Sequence, residues 1–375
     1  MRFQDIPGLD EVKQKLLEAV QEDHVAHAQL FAGAEGSANL ALALAFATYL
    51  NCENPSGTDA CGECPSCRKN AKFIHPDLHF VFPTAATPKF KREDATSDKF
   101  LNEWRSFLAS SPYGNVTDWS HHFGWENKQV IIPRQESRNI INGLSLKAYE
   151  GAYKIMLIWL PELMNANAAN GILKILEEPP EKTVFLMVSM DSNRLLGTIL
   201  SRTQLLQVPS FSDDELRSSL NNTHDLSSEK LDQVVYLAEG NLRMALKLAE
   251  GEENEVQELF KGWMRLCFTW DFKGMTRMAD EFQKAGKEHQ KRFLLAGTKV
   301  MRDTLIHQYD APNLVRVPDA EIGFIEKFGK VFDATKIADI APRLEKAHYL
   351  IERNANPKIL FLDLSLAIAQ IARSN

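Results

Sequence analysis

The chain has 375 residues, of which 44% are hydrophobic and 25% are charged, and its formal net charge is −7 at pH 7. This length exceeds what one compact core supports and predicts two or three domains. The acidic balance argues against a protein that coats nucleic acid through bulk electrostatics, but it leaves open a place in a DNA-handling assembly whose other subunits are basic.

The sequence predicts neither a secretory signal nor a membrane span. The first twenty residues mix charged and apolar residues at helical spacing. The most apolar run, residues 359–372, contains an aspartate and is short for a span, so we interpret it as a buried helix of a bundle. Four of the five cysteines fall close together, which indicates a metal site in a reducing compartment, and we expect a cytoplasmic protein.

Apolar strands alternate with helices up to Pro209. Helical spacing predicts a helix over Asp10–Gln21, AQLFAG predicts a short buried strand, and a second helix begins at Asn39. Further strands are predicted at residues 77–83 and in YKIMLIWL, TVFLMVS and TQLLQVP, with a helix in NANAANGILKILEEPP that the two prolines end. This alternation predicts a parallel sheet covered by helices on both faces.

After Pro209 the strand-like runs largely disappear, and we expect helices to the end of the chain. SDDELRSSL opens with a capping box formed by Ser212 and Glu215. Cys267 lies in an apolar helical pattern, so we interpret it as a core thiol. The predicted fold is therefore an α/β region followed by an all-α region.

Residues 84–127 have a different composition from the α/β region around them. Pro, Gly, Ser and mixed charges cluster there with three of the six tryptophans, Trp104, Trp119 and Trp125. One interpretation is an insertion that packs its own aromatic side chains against the domain. The other is a surface that binds a partner or a single nucleic-acid strand by aromatic stacking.

The clustered cysteines are Cys52, Cys61, Cys64 and Cys67, with the spacing C-x8-C-x2-C-x2-C. Four thiolates suit tetrahedral Zn²⁺, and a two-residue gap lets neighbouring sulfurs reach one ion. An iron–sulfur cluster also takes four cysteines, and free thiols are a third interpretation, but nothing else in the sequence indicates electron transfer. We predict a structural zinc, because four protein ligands leave no open position for catalysis.

The stretch LFAGAEGSANLALALA has the layout of a phosphate-binding loop. A loop of the G-x4-G-K-[S/T] kind uses backbone N–H groups, a lysine and a hydroxyl to hold phosphates and Mg²⁺. The first glycine here is Gly33, Gly36 lies within the turn, and Ala38, Asn39 and Leu40 occupy the glycine, lysine and hydroxyl positions. The lysine and the hydroxyl are both missing, although the loop backbone could still bind an anion weakly.

A second element of an ATPase site is missing as well. An ATPase needs an aspartate–glutamate pair at the end of a central strand to hold Mg²⁺ and orient water. The strand IMLIWLPELM places Trp159 and Leu160 there. Two independent losses indicate a nucleotide site that keeps its shape without ATP turnover.

The motifs HAQLFAG, the cysteine segment, HPDLHFV, ANGILKILEEPP, LLGTILSRTQLLQVP, GNLRMAL and RNANPKILFLDL occur in this order. Together they resemble the clamp-loader subunits of bacterial DNA polymerase III, an AAA+ family, over nearly the whole chain except residues 84–127. Within the family the sequence is similar to the delta-prime branch, which shares the fold and zinc module of the motor subunits but has lost ATP turnover in many members.

The resemblance implies an AAA+ α/β domain over residues 1–208 with a zinc module at 52–67, a small helical lid over 209–252 and a helical collar for oligomerisation over 253–375. It implies assembly with other clamp-loader subunits (delta, gamma/tau) and, through that complex, contact with the sliding clamp and primed DNA. Such a subunit belongs to the polymerase holoenzyme but catalyses no reaction itself.

The resemblance also implies roles for two arginines. Arg202 in SRT matches the family's Ser-Arg-Cys arginine-finger motif, with Thr203 in place of the cysteine, and would act in trans on a neighbouring subunit's nucleotide. A planar, always-charged guanidinium suits charge developing on a γ-phosphate. Arg243 in GNLRMAL corresponds to the second sensor, which contacts nucleotide in cis, but with the altered loop a structural salt bridge is an equal interpretation.

Two other functions remain open at this point. An active AAA+ motor subunit with an unusual loop would hydrolyse ATP by itself. A zinc-containing DNA-binding adaptor would bind DNA as an isolated chain, with affinity that falls steeply with salt, and the acidic balance argues against it.

Overall fold

The computed structural model describes residues 1–125, 128–145, 147–250, 255–309 and 319–373. The chain divides into two compact units, one of residues 1–225 with 238–246 and the other of residues 226–237 with those from 247 onward. The predicted lid boundary at residue 252, the end of the insertion at 127 and the last two residues lie outside the described residues.

The first unit is built around a five-stranded sheet in the order β2-β3-β4-β1-β5, and every neighbouring pair is parallel. Leu30 of the inner strand β1 lies opposite Met187 on one side and Leu205 on the other. The strands are β1 Ala28–Ala32, β2 Leu78–Val81, β3 Lys154–Trp159, β4 Thr183–Ser189 and β5 Gln204–Gln207.

The predicted parallel sheet is confirmed. β1, β3 and β4 are buried along their whole length, as expected for apolar strands covered on both faces. β5, at one edge of the sheet, is mostly exposed because only one side of it pairs with another strand. The segment KQVIIP, residues 128–133, forms only isolated bridges, at Ile131 and Ile132.

The helices before residue 225 follow the sequence patterns closely. Helix α1 buries Val12, Leu16 and Leu17, which share one face, and α2 is buried at every residue because its sequence is almost entirely apolar. These helices are α1 Asp10–Gln21, α2 Asn39–Leu50, α3 Pro65–Ala71, α4 Leu101–Ser110, α5 Val116–Phe123, α6 Gln135–Leu144, α7 Ala166–Glu177, α8 Gly197–Leu200 and α9 Asp213–Thr223.

The capping box at the start of α9 is present. Ser212 Oγ accepts a hydrogen bond from the N–H of Glu215 at 3.3 Å, and the Glu215 carboxylate accepts one from the N–H of Ser212 at 2.7 Å. The same carboxylate accepts the N–H of Leu9 at 2.7 Å, which ties α9 to the start of the chain.

Every regular element that the structure describes after Pro209 is a helix, as predicted. Trp263, Phe293 and Phe361 form the centre of the second unit, with ring centroids 4.9–5.7 Å apart. The helices are α10 Ser228–Ala238, α11 Leu242–Ala249, α12 Glu255–Thr269, α13 Phe272–Lys284, α14 Lys287–Gln308, α15 Asp319–Val331, α16 Ala334–Glu352 and α17 Pro357–Arg373.

Two apolar features of this helical region have the predicted burial. Cys267 on α12 is fully buried in the core, which confirms the core-thiol interpretation. Helix α17 buries Leu364, Ile368 and Ala369 against the same core, so it is a bundle helix. None of the described helices combines the length and the apolar character that a membrane span requires.

The inserted segment packs its tryptophans inside the first unit. Trp104, Trp119 and Trp125 are each at most 2% exposed. The ring of Trp104 stacks on Phe82 at 4.4 Å between centroids, and Trp119 Nε1 donates a hydrogen bond to the carbonyl of Pro83 at 2.7 Å. The packing interpretation is confirmed, and the alternative of exposed stacking rings is wrong for these three residues.

Candidate nucleotide-like site and metal site

The phosphate-like loop lies between β1 and α2, at the carboxyl end of β1, an inner strand of the sheet. This is the position at which open parallel sheets bind ligands. The N–H of Gly33 donates to the carbonyl of Ser189 at the end of β4, at 3.2 Å. Gly36 has a φ of 76°, a left-handed conformation that favours glycine. The backbone of a phosphate loop is therefore retained.

Asn39, at the lysine position, has a structural role in this loop. Its side-chain Nδ2 donates to the carbonyl of Ser189 at 3.0 Å and lies 3.4 Å from the carbonyl of Gly33. Its Oδ1 accepts the N–H of Leu40 at 2.8 Å. Asn39 is 2% exposed, and Ala38 and Leu40 are buried beside it. The amide joins the loop to β4 and offers no positive charge to a phosphate.

The end of β3 is occupied by aromatic packing. Trp159 is fully buried, and its ring lies 5.0 Å from Trp104 and 5.8 Å from Phe107, both on helix α4 of the insertion. Leu160 is 3% exposed and has a left-handed conformation with φ 56°. The insertion therefore covers the position where an ATPase holds Mg²⁺ with carboxylates.

Arg243 forms ion pairs with two carboxylates. Its Nη1 lies 2.9 Å from Oε1 of Glu35, a residue of the phosphate-like loop. Its Nε and Nη2 both donate to the carboxylate of Asp118 on α5, the latter at 2.7 Å. Asn115 Nδ2 also donates to Glu35, at 2.8 Å. We call Glu35, Asn115, Asp118 and Arg243 the Arg243 cluster.

The guanidinium of Arg243 thus forms the salt bridge that one interpretation describes, and its role as a sensor stays a prediction. Sequence analysis missed Glu35 and Asp118 as its partners. Glu35 stands inside the loop motif and was a detectable candidate, but no local pattern marked Asp118 as the second carboxylate.

Arg202 follows α8, in the turn that leads into β5. Its Nε and Nη2 donate to one oxygen of Glu177, at 3.3 and 3.2 Å, and Nη1 donates to the carbonyl of Thr198 at 3.1 Å. The Arg202 side chain is 31% exposed. The guanidinium is held by its own subunit yet remains accessible from outside, which is compatible with a contact to another chain.

The four clustered cysteines converge as their spacing predicts. Their sulfur atoms all lie within 4.8 Å of one another, so they can hold a metal ion. The N–H groups of Cys61, Cys64 and Cys67 point at the sulfurs of Cys52, Cys61 and Cys64, at 3.3–3.4 Å. The N–H groups of Cys64 and Glu63 lower the pKa of the Cys61 thiol to about 6. Burial raises the pKa of the Cys52 and Cys67 thiols. At Cys61 the lowered pKa favours the thiolate, the form that binds metals.

Sequence comparisons agree with this geometry. Residues 8–212, more than half of the chain, match the family described as "DNA polymerase III, delta subunit". The chain belongs to this family.

Named relatives of this DNA polymerase III delta-family chain include two delta' subunits. The subunit from Pseudomonas aeruginosa is 31% identical over 177 residues, which are 47% of this chain and 41% of the relative. The one from Bacillus subtilis is 28% identical over 195 residues, which are 52% of this chain and 46% of the relative. The tau subunit of Escherichia coli is 26% identical over 253 residues, 66% of this chain and 32% of the relative. The chain spans less than half the length of each.

Proposed function

We propose that this chain is a clamp-loader subunit of the delta-prime type, which helps to load a sliding clamp onto primed DNA during replication and does not hydrolyse ATP. The observation that supports this most directly is that uncharged residues occupy the two positions where an ATPase has a lysine and an acidic residue. Asn39 and Trp159 are buried there and engaged in structural contacts. The delta' names of two relatives support the same proposal.

The catalytic contribution we assign to the chain is Arg202, acting in trans as an arginine finger. Its guanidinium is partly exposed in the turn before an edge strand, and Thr203 follows it where the family has cysteine. In the assembled ring it would meet the γ-phosphate of a nucleotide held by a neighbouring subunit. A positive charge fixed at this position stabilises the negative charge that develops in the transition state of phosphoryl transfer.

The remaining features fit a scaffold role. We assign residues 1–208 to an AAA+ domain, 209–252 to a lid and 253–375 to a collar that joins the delta and gamma/tau subunits. Cys52, Cys61, Cys64 and Cys67 would hold Zn²⁺, and an ion with four thiolate ligands supplies folding energy rather than catalysis. Contact with the clamp and with primed DNA would be made by the whole assembly.

The test is the ATPase rate of a reconstituted loader. We expect Arg202→Ala to lower turnover about 10³-fold, as for other arginine fingers, while the subunits still assemble. Arg194→Ala is the matched control, because Arg194 is also exposed and lies just before α8. Unchanged turnover with Arg202→Ala would remove the finger assignment.

Assays on the isolated chain test the other two functions. ATP hydrolysis by the isolated chain would favour an active motor subunit. Tight DNA binding by the isolated chain, weakening steeply with salt, would favour a DNA-binding adaptor. We expect neither activity above background.

A further inference from the structure

Residues 241–243 pack directly on the phosphate-like loop. The N–H of Leu242 donates to the carbonyl of Gly36 at 3.1 Å. A Cβ atom added at Gly36 would overlap the side-chain amide of Asn241, so the glycine permits this close approach. Arg243 follows at once and reaches Glu35 in the same loop. A guanidinium therefore lies beside a loop whose backbone is shaped for an anion.

The anion that meets this guanidinium is a side chain of the inserted segment. Asp118 presents both of its oxygens to Nε and Nη2 of Arg243, the two-point geometry that guanidinium groups form with carboxylate and phosphate alike. The two side chains are only 15% and 13% exposed. Removing one partner of a pair so shielded from water is strongly destabilising, because it leaves a buried charge.

The position of Asp118 is fixed by its surroundings. It is the third residue of α5, and its carboxylate accepts the N–H of Asn115 at 3.1 Å while Asn115 Oδ1 accepts the N–H of Asp118 at 2.9 Å. The next residue, Trp119, is fully buried. The Asn115 amide also contacts Glu35, so one residue of the insertion orients both carboxylates of the cluster.

We propose that the inserted segment, residues 84–127, takes the place of the nucleotide in this subunit. The carboxylate of Asp118 stands where a phosphate would pair with Arg243, and it holds residues 241–243 on the loop when no nucleotide is present. The two carboxylates beside this guanidinium would repel a polyphosphate. The inference does not rest on the finger role of Arg202, and the isolated chain suffices to test it.

The first experiment is hydrogen exchange on the unaltered chain without nucleotide. The backbone N–H of Leu242, bonded to Gly36, should be strongly protected, and adding magnesium ATP should not slow its exchange further. Rapid exchange without nucleotide, or protection that appears only with ATP, would overturn the proposal. No variant has to fold for this result.

The second experiment compares two double variants that remove the same charges. Glu35→Gln with Asp118→Asn neutralises the two carboxylates of the cluster and keeps the side-chain shapes. Glu93→Gln with Asp94→Asn is the control, because both residues are exposed and lie in the same insertion. We expect the first variant to unfold about 5 °C below the control, since neutral amides replace the two carboxylates that pair with the guanidinium.

Tripolyphosphate then tests whether the carboxylate substitutes for phosphate. Tripolyphosphate should raise the melting temperature of the cluster variant by several degrees, through binding to the Arg243 guanidinium, and leave the unaltered chain and the control unchanged. A cluster variant as stable as the control would contradict the proposal. So would a destabilised variant with no response to tripolyphosphate, or an equal response of the unaltered chain.

Discussion

Glu177 holds Arg202 by two hydrogen bonds, from Nε at 3.3 Å and from Nη2 at 3.2 Å, both to the same carboxylate oxygen. A guanidinium carries five N–H donors, so Nη2 keeps a second N–H outside this pair. Glu177 ends α7, in the motif ANGILKILEEPP, and α7 is anchored by the buried Ile172 and Leu176. The orientation of the proposed finger is thus set by a packed helix of its own subunit.

We predict that Glu177→Gln lowers the turnover of the assembled loader about tenfold, because a neutral amide holds the guanidinium less firmly and roughly 1.4 kcal/mol of transition-state stabilisation is lost. The KM for ATP should not change, since nucleotide binds to the neighbouring subunit. Subunit assembly should not change either. Glu178→Gln is the control, because Glu178 is the next residue, is exposed and carries the same charge.

The Arg202→Ala background separates a positioning role from a general structural one. If Glu177 acts through Arg202, adding Glu177→Gln to Arg202→Ala should cause no further loss. Additive losses would show that Glu177 acts elsewhere. If Arg202→Ala itself has no effect, the finger assignment fails before Glu177 is tested.

The metal site gives a prediction that does not depend on the assembly. We expect about one zinc ion per chain, and Cys61→Ser should lower the metal content and the melting temperature together, because four thiolates share one ion. Cys267→Ala should lower stability through a core cavity and keep the metal. Elemental analysis checks both. Less than half an equivalent of zinc in undamaged protein would contradict the assignment.

The fold was predictable where the signal is local. The bounds of α1 agree with the apolar periodicity, and α2 begins at Asn39 as its composition predicts. The burial of β3 and β4 follows from uninterrupted apolar runs. The cysteine site was predictable for the same reason, since Cys61, Cys64 and Cys67 are neighbours in sequence and their spacing alone brings the sulfurs together.

The Arg243 cluster was not predictable because its contacts are distant in sequence. Glu35 and Arg243 are separated by 208 residues, and Asp118 and Arg243 by 125. Asp118 also lies in the compositionally distinct residues 84–127, for which no helix was predicted, so nothing local distinguished it from an exposed acidic residue. The loop motif predicted that the lysine and hydroxyl of a phosphate-binding loop are missing, but only the tertiary structure shows that Arg243 contacts Glu35 and Asp118 there.

The packing of Trp104 against Phe82, Trp119 and Trp159 predicts that its substitution lowers stability without affecting single-strand binding. Trp104→Ala should cost roughly 3–5 kcal/mol of unfolding free energy, because the ring is fully buried against Phe82, Trp119 and Trp159. Denaturant unfolding measures the loss. Asn102→Ala, at an exposed position of the same helix, should change stability by no more than about 0.5 kcal/mol. A neutral Trp104→Ala, or one that weakens single-strand binding, would contradict this packing role.

Glu136 predicts a specific dependence of stability on pH. Burial raises the pKa of this carboxyl to about 7, even though the N–H of Ser97 donates to it at 2.9 Å, and its ordinary value is 4.5. At a pH between 4.5 and about 7, Glu136 keeps its proton in the folded chain and releases it in the unfolded chain. The unfolding free energy contributed by Glu136 is therefore fully present below pH 4.5 and is lost as pH rises through about 7.

Glu136→Gln removes this titration and keeps an oxygen that can accept the Ser97 N–H. Between pH 4.5 and 7 the unaltered protein should lose up to about 3 kcal/mol relative to the variant, and the difference should level off above that range. The other titrating groups are the same in both proteins, so their contributions cancel in the difference of unfolding free energy. Glu103→Gln, at an exposed site on α4, should follow the unaltered profile. A difference that stays flat across this range would mean that Glu136 is ionised in the folded chain, with a counter-charge compensating its burial.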